Sequence, residues 1–280
     1  MSVFHPFSVR GVSGPVVTLQ AGVDFAGYFW TTTSRRAAKV SALRRLPNAS
    51  VLVRKSNSWV LRAGRSVVID PAHPSKAVRE LSVVALAGTA LALIAARYPE
   101  QLFGYVADAT ATPAAWKLHN RVLIAVRHDD ELAWTDDGTI IGQSARFDSD
   151  ARAHRVTDRP HLAGPSARRV GRAAPLDVDG ACWLGLDSDA GPLVLPAGWK
   201  AARSAVGVPS GVLAAVHAHL PGRACITIDR SESRRPSDMT GIIARGEASA
   251  PRVRSASASI VVDVDKITTW SGFRSKVAAA

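Results

Sequence analysis

What this chain has little of narrows its chemistry first. Two cysteines, Cys182 and Cys225, occur in 280 residues. Each sits in an apolar, strand-like run, so a disulfide framework is excluded by number and buried reduced thiols are expected. Acidic residues are scarce: 23 Asp and Glu face 35 Lys and Arg, a formal net charge of +12. That excess points to anionic partners, whether nucleic acid, an acidic membrane surface or a phosphate-bearing cofactor. No apolar run reaches the roughly 20 residues that span a bilayer. The longest, Leu81 to Ala96 within a helical segment Ser75 to Tyr98, reads as a core helix wedged between two domains. Met1 to Gly14 has no apolar h-region and reads as an irregular arm, so no signal peptide is expected and the cytoplasm is the expected compartment.

Familiar catalytic signatures are missing as well. There is no Gly-x-Gly-x-x-Gly and no Walker-type loop, and Gly207-Val208-Pro209-Ser210-Gly211 misses the nucleophile-elbow spacing by one residue. Of the eight histidines only His217 and His219 are close together; on a helix they point to different faces, and no metal site is expected.

What is present is a strand that feeds directly into a helix. Tyr28-Phe29-Trp30-Thr31-Thr32-Thr33 is a β-branched and aromatic run, and Ser34 reads as the N-cap of a helix opening with Arg35, Arg36 and Lys39. Helix N-termini favour acid, and each basic residue there costs roughly 0.3–1 kcal/mol unless an anion is nearby. Arg36 and Lys39 lie three apart, hence on one helical face. With the Thr33 and Ser34 hydroxyls they would surround a phosphate held by backbone N–H groups. The bland alternative is a solvated basic face.

The pattern recurs. Leu193-Val194-Leu195 is again a strand after a Gly-Pro turn, and Lys200-Ala201-Ala202-Arg203 repeats the basic-Ala-Ala-basic spacing of Arg36 to Lys39. Downstream, Leu46-Pro47 is answered by Leu220-Pro221 and the strand at Val51 by the strand at Cys225. These landmarks imply an internal duplication. Each copy also closes on a strand with a tryptophan at its end, Trp134 and Trp270, either a buried structural indole or a neighbour of a cofactor ring. Strands are expected at Val16 to Leu19, Tyr28 to Thr32, Val51 to Arg54, Trp59 to Asp70, Asn120 to Val126 and Glu131 to Trp134, with Gly22 to Gly27 as a turn. Between the copies, Gln143 to Pro175 is rich in Arg, Asp, Ala, Pro and Gly without periodicity and reads as a basic linker or surface loop. It holds one aromatic residue, Phe147, too few to stack bases as a nucleic-acid arm.

Thr31 to Lys39, followed by Leu46-Pro47-Asn48-Ala49-Ser50-Val51, resembles the flavin-binding split-barrel family, the superfamily of pyridoxamine 5′-phosphate oxidase and its flavin- and deazaflavin-dependent relatives. The resemblance implies a mostly β fold with helices: two tandem split β-barrels, residues 1–142 and 176–280, joined by 143–175 and forming a single-chain pseudo-dimer. It implies that Ser34, Arg35 or Arg36, and Lys39 hold a cofactor phosphate, with Trp30, Thr31 and Thr32 along the ring. It also implies a second, degenerate site keeping Lys200 and Arg203. The expected ligand is FMN or a deazaflavin coenzyme, with haem a weaker alternative, and the expected activity is that of an oxidoreductase on an unknown small substrate. The alternatives are a non-catalytic cofactor- or haem-binding module and, weaker, a basic nucleic-acid-binding protein.

Overall fold

The computed structural model of the protein describes residues 4–73, 80–108, 110, 112–114, 117–147, 180–188, 191–200, 205–216, 220, 222–230, 236–253, 257–272 and 274–279. Most of the expected linker, 148–175, and both His217 and His219 lie outside them.

The first half contains β1 (His5–Gly11), β2 (Gly14–Gln20), β3 (Gly22–Phe25), β4 (Tyr28–Ser34), α1 (Ala38–Arg45), β5 (Asn48–Lys55), β6 (Ser58–Ile69), α2 (Leu81–Arg97), α3 (Pro99–Ala107), β7 (Arg121–Arg127), β8 (Asp130–Thr135) and β9 (Ile140–Gln143). The second contains β10 (Gly180–Leu186), β11 (Leu193–Lys200), β12 (Ala205–Pro209), α4 (Ser210–Val216), β13 (Gly222–Asp229), β14 (Thr240–Val253), β15 (Ser257–Ser271) and β16 (Arg274–Ala279). The first sheet runs β2-β1-β5-β6-β7-β4-β3, with β8 on β6 and β9 on β8; the second runs β11-β10-β13-β14-β15, with β12 pairing both β11 and β15. The fold is thus mostly β, with one closed six-stranded barrel and one curled half-barrel sheet. Strand for strand, β2-β1-β5-β6-β7-β4 follows the same order as β11-β10-β13-β14-β15-β12. The difference is the last pairing, β11 with β12, which closes only the second sheet.

Strand alternation explains why so many of these runs are continuously apolar. On β5, Ala49, Val51 and Val53 enter the first half's own core, whereas Leu52 enters a core built mainly from β10 to β15. On β7, Val122, Ile124 and Val126 face the first core, and Leu123 and Ala125 face α2. Both faces of these strands are covered, so both parities are apolar. The core around β10 to β15 also takes in Val17, Leu61, Leu132, Trp134 and Phe147, and the Thr227 hydroxyl donates to the Val17 carbonyl at 3.0 Å. The two halves therefore share one interior.

Several expectations are corrected. Residues 5–11 are not an irregular arm but β1, paired with both β2 and β5; Pro6 to Val9 are all buried, and Pro6 and Ser8 hide the strand because they carry no apolar β-branched signal. The turn expected over Gly22 to Gly27 shrinks to Ala26-Gly27, whose positive φ angles of 51° and 79° make the two-residue hairpin that joins β3 to β4. The long helix is not wedged between the halves. It lies on β3, β4 and β7, burying Val83, Ala90 and Ile94, with Leu81 and Leu91 more than half exposed. Uniform apolarity failed as a guide because only one stripe of the helix meets the sheet. Phe147, at the start of the expected linker, is buried in the shared core.

A shared interior predicts shared unfolding. Leu52→Ala, at a fully buried position, should cost about 2–5 kcal/mol and shift a single transition seen alike by fluorescence and circular dichroism. Two transitions of which only one moves would contradict the shared core.

Candidate functional site

A cavity of about 290 Å³ opens on the seam between the halves, near the lower edge of the roughly 300–1,000 Å³ typical of ligand pockets. The first half lines it with Thr18, Leu19 and Gln20 of β2, Thr32 and Thr33 of β4, Lys39 of α1 and Arg121 of β7. The second half contributes Thr227 and Asp229 of β13, Ile243 of β14, Thr268 and Trp270 of β15, Ser275 of β16 and Met239. The first half's lining is therefore cationic and hydroxyl-rich, and the second half's carries an indole, two apolar side chains, three hydroxyls and the Asp229 carboxylate.

Strand and helix geometry brings the cations together. β4 pairs with β7 so that Ser34 faces Arg121, which puts the Arg121 guanidinium beside Thr32. Its Nε and NH2 donate to Thr32 Oγ1 at 3.2 and 3.0 Å, and NH2 also donates to the Thr32 carbonyl at 2.9 Å. Lys39, on the first turn of α1, donates from Nζ to Thr18 Oγ1 at 2.9 Å. Its side chain is half-buried, facing the cavity, and burial together with the neighbouring Arg121 charge pushes its pKa down from 10.5 to about 7. No carboxylate among the described residues pairs with its ammonium; Asp229 of β13 lines the cavity from the other half. An ammonium held beside a guanidinium, with the Thr18, Thr32 and Thr33 hydroxyls around it, is a donor set that suits an anion such as a phosphate.

The expected cradle residues divide. Thr32, Thr33 and Lys39 line the cavity. Trp30 does not: it is buried beneath α2, its indole N–H donating to the Phe25 carbonyl at 3.0 Å. Thr31 is buried and donates to the Ala21 carbonyl at 2.7 Å. Ser34 is not the helix cap. β4 continues through it, the helix begins at Ala38, and the N-cap position is Ala37, without a side-chain cap. Ser34 Oγ instead accepts the Arg36 N–H at 3.3 Å. The Arg35 N–H donates to the Asn120 carbonyl at 2.7 Å, carrying the pairing with β7 one residue past Ser34, and a turn at Arg35-Arg36, closed by the Ala37 N–H on the Ser34 carbonyl at 3.0 Å, leads into α1. Arg35 pairs with Asp70 at 2.8 Å, away from the cavity, and Arg36 is exposed. Arg36 and Lys39 therefore do not share a helical face.

The second expected cradle is also displaced. Lys200 is exposed at the end of β11, in register with Ala205, and Arg203 lies outside the described residues. By strand order the counterpart of the β4–α1 junction is the β12–α4 junction, Val208-Pro209-Ser210-Gly211, which carries no basic residue. Space there is taken by the β8–β9 turn. A Cβ on Gly138, whose φ is +88°, would fall 2.5 Å from Pro209 Cβ, and a Cβ on Gly211 would fall 2.5 Å from the Gly138 carbonyl oxygen. The tryptophans part in the same way: Trp134 is buried in the shared core and Trp270 lines the cavity.

Arg121, Thr18, Gln20, Thr227, Asp229 and Thr268 were not picked out from the sequence. The available signal was a polar residue interrupting an apolar strand, as Thr18 does in Val16-Val17-Thr18-Leu19 and Arg121 does before Val122 to Val126.

No family model and no curated protein matches the chain. Among solved structures it is similar to a pyridoxamine 5′-phosphate oxidase-related, FMN-binding protein from Nostoc punctiforme, at 15% identity and TM-score 0.34 over 48% of this chain and 74% of that one. It is also similar to General Stress Protein 26 from Bacillus anthracis, at 13% identity and TM-score 0.30 over 48% and 84%. A putative pyridoxamine 5′-phosphate oxidase from Listeria innocua stands at 8% identity and TM-score 0.29 over 50% and 89%. Each likeness spans about half of this chain.

Lys39 links the site to stability. Its folded pKa of about 7 lies below the ordinary 10.5, so between those values the unfolded chain binds more protons and stability rises with pH. Below pH 7 the full cost of the buried charge is present. Lys39→Met should therefore stabilise the ligand-free protein at pH 6, by on the order of 1 kcal/mol after discounting for partial exposure, and should flatten the rise between pH 7 and 10.5 in urea melts. A destabilised variant at pH 6 would refute the buried-charge account.

Proposed function

We propose that the seam cavity binds the phosphate end of a flavin-type cofactor, FMN or a deazaflavin coenzyme, and that the protein is an oxidoreductase acting on a small substrate. The observation that carries this reading is Lys39: a cavity-facing ammonium beside Arg121, hydrogen-bonded to Thr18 and in no ion pair among the described residues, with Asp229 as the one carboxylate among the described lining residues. Such a charge is costly unless an anion completes it. Lys39, Arg121 and the Thr18, Thr32 and Thr33 hydroxyls would take the phosphate oxygens, while Trp270, Met239 and Ile243 offer an apolar wall for an aromatic ring. When bound, the ring supplies hydride or electron transfer; the chain supplies placement and exclusion of water.

The matching strand orders support a further element of the reading, a fused pair of one domain, 1–142 and 176–280 with 143–175 between, standing in one chain for a two-fold dimer. The filled junction at Gly138, Pro209 and Gly211 supports one cofactor per chain.

The test is titration of the purified protein with FMN, a deazaflavin coenzyme and riboflavin, followed by absorbance and fluorescence. Lys39→Glu should weaken FMN binding about ten- to a hundred-fold and leave the weaker riboflavin binding nearly unchanged. Arg36→Glu and Lys200→Glu, both outside the cavity, should bind as wild type, with saturation at one FMN per chain. Unaltered FMN affinity in Lys39→Glu would remove the cavity as the phosphate site.

A further inference from the structure

We propose that Asp70 is a positioning residue that holds the two cavity cations, Lys39 and Arg121, at a fixed separation while touching neither. The proposal rests on the reading of the cavity as a phosphate site.

Asp70 follows the end of β6, and its side chain is 4% exposed. Its Oδ1 accepts from Arg35 Nε at 2.8 Å and from the Ala72 N–H at 3.1 Å; its Oδ2 accepts from Arg44 NH2 at 2.8 Å and lies 3.3 Å from His73 Nδ1. Burial by itself would raise the Asp70 pKa, but the Ala72 N–H, His73 and Arg35 outweigh it and hold the carboxyl below its ordinary value.

Two arms leave this carboxylate. Through Arg35, whose NH1 reaches Asn120 Oδ1 at 3.4 Å and whose backbone N–H reaches the Asn120 carbonyl at 2.7 Å, it fixes the residue directly before Arg121. Through Arg44 it fixes α1, the helix that carries Lys39. That helix needs an anchor. It has eight residues, no side-chain N-cap and three buried side chains, and a helix so short is marginal on propensity alone. One buried acid thus ties down the separate elements that present the two cations.

The sign of the charge separates this role from a field effect. A carboxylate near an anion site weakens the pull on the anion, so on field alone its removal should tighten phosphate binding and lower the Lys39 pKa further. Loss of positioning predicts the reverse for both.

Asp70→Asn keeps the shape and removes the charge. Its FMN affinity should fall about tenfold or more, with riboflavin affinity within about twofold of wild type. The titration of Lys39, followed by NMR of ¹³C-labelled lysine in the ligand-free protein, should move up toward the ordinary lysine range as Arg121 is released. Arg35→Lys, which keeps the charge and so leaves the field unchanged but loses the NH1 reach to Asn120 Oδ1, should move both readouts in the same direction and serves in place of Asp70→Asn if that variant shows no cooperative unfolding. Unchanged or tighter FMN binding, an equal loss for FMN and riboflavin, or a Lys39 pKa that stays or falls would overturn the proposal. If wild type binds no flavin, the cofactor reading fails by itself, and the Lys39 titration still decides whether Asp70 sets the spacing of the cations.

Discussion

Everything else in the molecule depends on one packing constraint: β2 and β5 are covered on both faces, by their own sheet's core on one side and by β10 to β15 on the other. Val17 and Leu52 belong to the second half's core although they are first-half residues, and Val51 and Val53 turn the other way. With both sides of these strands committed, the halves cannot separate without exposing fully buried aliphatics. Such exposure is costly at roughly 25 cal/mol per Å² of apolar surface. The cavity lies on the seam where β4, α1 and β7 present polar side chains.

The fold was legible where strand chemistry is local. Tyr28 to Thr33, Val51 to Arg54 and Val122 to Val126 declare themselves by β-branching and apolarity, and the matching order of landmarks such as Leu46-Pro47 and Leu220-Pro221 anticipated two similarly ordered sheets. Three features were hidden because they are set by partners far away in sequence. β1 becomes a strand by lying between β2 and β5, which His5-Pro6-Phe7-Ser8 does not advertise. β4 keeps its pairing with β7 through Ser34 and on to the bond from the Arg35 N–H to Asn120, some 85 residues on, so a Thr-Thr-Thr-Ser run that reads as strand plus cap is strand to its end. The outward face of α2 stays apolar without being buried.

The site was half legible for the same reason. Lys39 was singled out because a basic residue in a first helical turn is unfavourable on local grounds, and the fold places it at the cavity. Arg35 and Arg36 carried the same local signal, yet one neutralises Asp70 and the other is solvated. What separates them is distance to a carboxylate, which only the fold determines. At Lys200 spacing and strand order differ: residue-by-residue offsets set Lys200, at the end of β11, against Arg36, whereas strand order aligns Pro209-Ser210 with the β4–α1 junction. Topology outranks spacing here because insertions shift offsets and leave pairings in place.

Net charge, the first clue, is reinterpreted by the pairing pattern. Some of the arginines are paired locally, which leaves the net excess unchanged: Arg10 pairs with Asp187, Arg54 with Asp136, Arg62 with Asp24 and Glu131, and Arg223 with Glu247 and Asp265. These pairs are partly exposed, worth little each to stability, and their fields are largely cancelled at a distance. A basic patch that recruits nucleic acid needs the opposite arrangement, cations in rows without partners. Lys39 differs in both respects, turned into a cavity and set against a like charge. Its hydrogen bond to the neutral Thr18 hydroxyl does not offset the charge it holds beside Arg121, and that imbalance is the physical basis for reading the cavity as an anion site.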